Sequence, residues 1–182
     1  MAVTIKLDRF VEQDASALFD QLRDVYAEVY AEPPYEKNED DVAEFHNRYD
    51  QQVVRSGFTV IMATVDDELA GFSYGLSFEA GKWWRGAIVE PPDEIRNATK
   101  FAVVELVLRK PYRGHGLGRR MMNELLRDRP EEYAILLSNP KAPARRVYDR
   151  WGWQQVGTVR SYPTWPASDA LVLPLRRVDR DD

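Results

Sequence analysis

The sequence predicts a mixed α/β fold of the α+β kind, with helices on both faces of a mainly antiparallel central sheet. Three observations lead there. Apolar or alternating runs of strand length recur at 3–7, 58–65, 69–78, 101–108, 133–137, 153–159 and 170–175. Segments with apolar residues at helical spacing stand between several of them. The run at 101–108 passes through a glycine-rich turn directly into an amphipathic segment ending near 127. At 182 residues, 44% hydrophobic and 30% charged, the chain is read as one globular domain spanning 1–182. Its core is expected at 3–175, with a charged tail at 176–182 that frays.

Val3, Ile5 and Leu7 alternate with Thr4, Lys6 and Asp8, the period of a half-buried strand. Asp14 is then placed to cap a helix carrying Ala17, Leu18, Leu22, Val25, Tyr26 and Val29, which Pro33-Pro34 ends. A second helix is expected from near Asp40 through Phe45, Tyr49 and Val53. Its opening is acidic (Glu36, Glu39, Asp40, Asp41, Glu44). That suits a solvated N-terminal helix face and leaves open an acidic rim that gathers a cationic substrate. Strands 58–65 and 69–78 flank the turn Asp66-Asp67-Glu68, with Gly71 and Gly75 marking a bulge or a close backbone approach. Residues 81–100 read as a loop or insertion, where Trp83-Trp84 suit a substrate pocket, a dimer contact or plain packing. Beyond the central strand and helix come a strand at 133–137 and a helix at 142–151 with Gly152 at its end. A final strand pair follows at 153–159 and 170–175.

Composition narrows the function. A formal net charge of −5 gives no electrostatic case for general nucleic-acid binding. The absence of cysteine excludes disulfides, thiol catalysis and cysteine-ligated metals. With His46 and His115 as the two histidines, no histidine metal centre is expected. No stretch approaches the roughly 18 apolar residues of a membrane span. The N-terminal ten residues hold no uninterrupted apolar core of signal-peptide length. The expectation is a cytoplasmic protein with no membrane partner.

The stretch at 101–127 carries the chemistry. Arg113-Gly114-His115-Gly116-Leu117-Gly118 follows an apolar strand interrupted by one acid, Glu105, and opens a helix. Such a turn leaves backbone N–H groups free at a helix N-terminus, where anions bind. Arg119 and Arg120 fall in the first turn, with Arg113 just ahead. Cations there oppose the helix dipole at about 0.3–1 kcal/mol each, and a bound polyanion reverses that sign. The glycines at 114, 116 and 118 do not have the spacing of a dinucleotide-binding G-x-G-x-x-G.

This element order resembles the GCN5-related N-acetyltransferase (GNAT) superfamily, whose Gln/Arg-x-x-Gly-x-Gly/Ala signature is matched by Arg113, Gly116 and Gly118. Ala144, Tyr148, Gly152 and Trp153 match its Asn…Ala…Tyr…Gly-aromatic segment, with Asn139 two residues further upstream than the common pattern. The resemblance implies acetyl-CoA as co-substrate and no metal. The N–H groups of Arg113, Gly114, His115, Gly116, Leu117, Gly118 and Arg119 would cradle the pyrophosphate. Leu106, Val107 and Leu108 would hold the pantetheine arm like an added strand, with Asn139 touching the same arm. The strands at 103–108 and 133–137 would splay to admit it.

Acetyl transfer to an amine needs a base, a donor for the developing oxyanion and an acid for the leaving thiolate. The resemblance implies Glu105 as base, the Leu108 N–H as oxyanion donor and Tyr148 as acid. Burial is expected to raise the Glu105 pKa toward the useful range. The residues by themselves equally allow Glu105 to be a buried carboxylate paired with an arginine, and Tyr148 to be a core tyrosine. The implied acceptor is a small-molecule or protein amine, and a homodimer is common in the family. Two other readings stay open: a non-catalytic acyl-CoA-binding or regulatory module of this fold, and a nucleotide- or phosphate-binding protein of another fold.

Overall fold

The computed structural model describes residues 2–175; the tail at 176–182 lies outside the described residues. In chain order the elements are β1 (Ile5–Val11), α1 (Glu12–Ser16), α2 (Phe19–Tyr30), α3 (Glu39–Val53), β2 (Thr59–Val65), β3 (Glu68–Phe78), β4 (Ala87–Val89) and α4 (Asp93–Asn97). They continue with β5 (Lys100–Leu108), a 3-10 turn (Lys110–Tyr112), α5 (Leu117–Leu126), β6 (Tyr133–Ser138), α6 (Pro143–Arg150), β7 (Gln154–Val159) and β8 (Ser168–Pro174). Two compact units interleave along the chain. Among the described residues, one is built from 2–76 together with 103–127, the other from 77–102 together with 128–175.

In the first unit the strands lie in the order β1-β2-β3-β5. β1 and β2 pair antiparallel from Ile5 opposite Val65 to Val11 opposite Thr59, so the first strand extends four residues beyond the expected end at Leu7. β2 and β3 form the expected hairpin, with Asp66 and Asp67 at φ +48° and +66°, a left-handed turn that short polar side chains tolerate. The register slips between Ala63, opposite Gly71, and Thr64, opposite Leu69. Both readings of Gly71 hold: it sits at that bulge, and a Cβ there would lie 2.3 Å from the Val107 carbonyl oxygen.

Strand alternation then sorts the faces. Leu106 and Leu108 of β5 pack with Ala63, Ala70, Leu117 and Met121, so α5 covers one face. Phe72 and Tyr74 meet Phe45 of α3 on the other, where Phe45 also stacks on Tyr26 of α2 at 4.0 Å. Glu105, out of phase with Leu106 and Leu108, belongs to this second face. Helices on both faces were expected, and the unit has them.

One helix start differs from expectation and a second falls where it was expected, near Asp40. Asp14 does not cap a long helix: it lies in the first turn of α1, which ends where the Leu18 N–H bonds back to the Ala15 carbonyl at 3.2 Å, and α2 starts at Phe19. The second helix opens one residue earlier than Asp40. Asn38 Oδ1 accepts from the Asp40 and Asp41 N–H groups, and the Asp41 carboxylate accepts from the Asn38 N–H, a reciprocal cap that stabilises by about 1 kcal/mol.

In the second unit the strand order is β6-β8-β7-β4, each pair antiparallel. The segment expected as loop at 81–100 contains β4 and α4. Three residues of strand and a five-residue helix are too short for periodicity to reveal. Trp83 and Trp84 contact each other edge-on at 5.0 Å and pack against the cluster of Ile95, Ala102, Ile135 and Val172. The packing reading offered for them is borne out. Buried Lys100 donates to the Arg96 and Ala98 carbonyls at the end of α4, and burial holds its pKa below the usual lysine range. Glu131 is buried between Arg129, at 2.9 Å, and the Ser77 hydroxyl, while Arg129 lies 3.9 Å over the Phe101 ring.

Two outcomes are expected. Gly71→Ala forces a side chain into backbone and should cost about 2–3 kcal/mol in chemical denaturation. For Glu131, burial raises the pKa, but hydrogen bonds from Arg129 and Ser77 outweigh it, and the carboxyl stays below its ordinary range. Its stabilisation is therefore complete above the ordinary carboxylate range and lost as pH falls through the folded value. Glu131→Gln should cost about 3 kcal/mol at neutral pH, and stability curves of the two proteins should converge in acid.

Candidate active site

The glycine turn lies between the 3-10 turn and α5. Gly114 and Gly116 sit at φ +82° and +81°, where a Cβ is disfavoured, and open space surrounds the position of a Cβ at both. The first helical hydrogen bond of α5 runs from the Arg120 N–H to the Gly116 carbonyl at 3.1 Å. Among the described residues, the backbone N–H groups of 114–119 donate to no backbone carbonyl. His115, Arg119 and Arg120 are exposed, and Leu117 is buried against Ala63 and Ala70. A row of free donors at a ten-residue helix, flanked by two cations, fits a diphosphate.

Arg113 behaves differently from the rest of the turn. Its own N–H donates to the Lys110 carbonyl at 3.3 Å, so the free donors begin at Gly114. Its guanidinium grips both oxygens of Glu32 at 2.7 and 3.1 Å, and Nε donates to the Leu108 carbonyl at 2.7 Å. Those Arg113 bonds hold the Glu32 carboxyl below its ordinary range. The side chain thus ties the turn to the end of α2 and to β5.

Glu105 is 6% exposed. The Tyr30 hydroxyl donates to one carboxylate oxygen, and the Arg48 guanidinium lies 3.6 Å from the other. Arg48, itself 17% exposed, also donates to the Tyr26 hydroxyl oxygen at 3.4 Å, and Lys37 Nζ reaches that oxygen at 2.8 Å. Burial, and after it the Glu105 carboxylate, push the Tyr26, Tyr30, Tyr35 and Tyr74 hydroxyls upward, so all four remain protonated donors at neutral pH. The arginine partner left open by the sequence is Arg48. Tyr26, Tyr30, Lys37 and Arg48 were not singled out as site residues. Tyr26 and Tyr30, four apart on α2, were the available signal, but one of them reads as ordinary helix core.

In the second unit, Asn139 Oδ1 accepts from the Lys141 N–H at 2.9 Å and the Asn139 carbonyl from the Ala142 N–H, a local turn leading into α6. The unusual upstream placement of Asn139 thus accompanies a turn-forming role. Tyr148 is buried, edge-on to Trp151 and Trp153 at 5.9 and 6.1 Å. The turn and Glu105 with Leu106, Val107 and Leu108 belong to the first unit, Asn139 and Tyr148 to the second. Among the described residues no group of three acidic, histidine or cysteine side chains could hold a metal, and no helix is long and apolar enough to cross a membrane.

Comparison with known proteins follows the same lines. The profile described as "Acetyltransferase (GNAT) family" matches residues 19–153. PH1933 from Pyrococcus horikoshii OT3 superposes with a TM-score of 0.65 at 20% identity, covering 94% of this chain and 98% of that one. The PaiA N-acetyltransferase of Thermoplasma acidophilum, solved with coenzyme A, gives 0.59 at 14% identity over 94% and 99%. NAA60 of Arabidopsis thaliana, solved with a bisubstrate analogue, gives 0.60 at 17% identity over 94% and 98%. At these identities the likeness is one of fold. No curated protein matches in sequence.

Removing the hydroxyl that serves Glu105 should leave a buried carboxylate short of a donor. Tyr30→Phe is expected to cost about 1–3 kcal/mol in urea denaturation, while Tyr35→Phe, with the same ring change nearby, costs less.

Proposed function

Because the chain belongs to the GNAT acetyltransferase family, we propose that it is an N-acetyltransferase moving an acetyl group from acetyl-CoA directly to a primary amine, with both bound at once. The observation that carries this reading is the row of free N–H groups at 114–119, placed at a helix N-terminus one 3-10 turn beyond the strand that bears Glu105. Acetyl-CoA supplies an activated thioester. The 114–119 amides and Arg119 hold its diphosphate, and backbone groups of Leu106, Val107 and Leu108 line its pantetheine arm. Asn139 is assigned to the same arm by its family position. The bisubstrate analogue in the Arabidopsis neighbour supports attack within a ternary complex. Reading the fold as that of some unrelated phosphate-binding protein is set aside by the family match.

Within this proposal Glu105 takes the proton shed by the attacking nitrogen, and the Leu108 N–H faces the developing oxyanion. Tyr148 returns a proton to the leaving sulfur. The acceptor is a small-molecule or protein amine. A second reading, a non-catalytic acyl-CoA-binding module, has one observation in its favour: Glu105 already has Tyr30 and Arg48 as partners.

Rates of thiol release over a panel of amines separate the two. Glu105→Gln is expected to lower kcat about 100- to 10,000-fold with KM for acetyl-CoA little changed, and Tyr148→Phe about 100-fold, the range of a lost acid or base. Unchanged rates in both variants, once folding is verified by circular dichroism, would favour the non-catalytic module.

A further inference from the structure

Lys37 lies between α2 and α3, and its amine sits among the side chains that surround Glu105. Nζ is 2.8 Å from the Tyr26 hydroxyl oxygen, 4.6 Å from the centre of the Tyr30 ring and 5.2 Å from that of Tyr26. The Tyr30 hydroxyl bonds to Glu105, and Arg48 links the Tyr26 oxygen to Glu105. An ammonium over two tyrosine rings beside a carboxylate is how a protein recognises a cationic amine. Here one of the chain's own lysines takes that position. Lys6, Lys82, Lys110 and Lys141 are exposed, and Lys100 is buried with its amine committed to two carbonyls.

We propose that Lys37 is an acceptor of the chain's own reaction, so that the protein acetylates this side chain from acetyl-CoA. The inference rests on the acetyltransferase reading. Burial holds the Lys37 amine below the usual lysine range and Arg48 adds to this, against the opposing pull of Glu105 and Asp41, so an uncharged amine is more available than at an exposed lysine. Its lone pair attacks the thioester carbonyl; a C–N bond forms and the C–S bond breaks. The proton leaving nitrogen passes to Glu105, and the departing thiolate takes one from the general acid. The side chain also borders a solvent-open cleft of about 340 Å³ that includes Arg23, Asp24 and Glu39, so the neutral amide has space to leave the tyrosines. Acetylation removes the charge that the two rings and Glu105 hold.

The test has two arms, both on the full chain. Without acetyl-CoA, NMR of lysine labelled at its side-chain carbons should show ring-current shifts at Lys37 that are reduced in Tyr30→Leu; ordinary lysine shifts overturn the geometry. With acetyl-CoA and no other amine, peptide mass spectrometry should find Lys37 acetylated about 100-fold faster than Lys6, Lys82, Lys110 and Lys141, the low end of what a positioned base provides. Gly116→Glu should abolish that advantage and leave slow labelling of the exposed lysines. Labelling of Lys37 no faster than theirs, in protein whose melting temperature acetyl-CoA raises, overturns this inference and spares the acetyltransferase reading. No thermal response to acetyl-CoA defeats both.

Discussion

Glu105 interrupts the apolar run from Phe101 to Leu108 of β5, and a carboxylate buried there without partners costs several kcal/mol. The surrounding structure answers that constraint. α2 contributes the Tyr30 hydroxyl, α3 contributes the Arg48 guanidinium, and Tyr26 joins Arg48 to Lys37. Around these polar groups the rings of Phe45, Tyr49, Phe72 and Tyr74 stack or meet edge-on, excluding water from one face of the first unit. The helices on this face are thus held by apolar packing and by the need to satisfy one acid.

A second set of polar bonds connects this acid to the glycine turn. Three residues beyond Glu105, the Leu108 carbonyl accepts from Arg113, whose guanidinium also holds Glu32 just past α2. Arg109 bonds Glu28 on α2 and the Leu69 carbonyl. The strand end, the helix end and the start of the turn are therefore clamped together, which fixes where the free N–H groups of 114–119 begin. Arginines that would oppose the α5 dipole as bare cations divide into two kinds: Arg113 serves this clamp, while Arg119 and Arg120 stay exposed beside the donors.

Most of this was legible in the sequence, for identifiable reasons. Long periodic segments such as α3 and β3 announce themselves, and Gly114 and Gly116 carry a left-handed turn geometry that other residues resist. What stayed hidden lacks a period or a local cue. β4 and α4 are too short to repeat, and the break at Ala17-Leu18 sits inside an unbroken helical pattern. The start expected near Asp40 lies one residue from the observed one, but the cap on Asn38, signalled by Asp41 three residues on, was not read. Pairings such as Arg48 with Glu105 or Arg113 with Glu32 join residues far apart in sequence. Nineteen arginines offer many candidates for each acid, and only tertiary structure chooses among them.

The proposed function depends above all on the open amides of 114–119 serving as a coenzyme A diphosphate site. Isothermal titration with acetyl-CoA, using dephospho-CoA and ATP as competitors, tests it most directly. Saturable binding of acetyl-CoA is expected, removed in Gly116→Glu by a carboxylate placed among the donors, with ATP unable to compete at equal concentration. Absence of any heat with acetyl-CoA, or tighter binding of ATP than of acetyl-CoA, would contradict it.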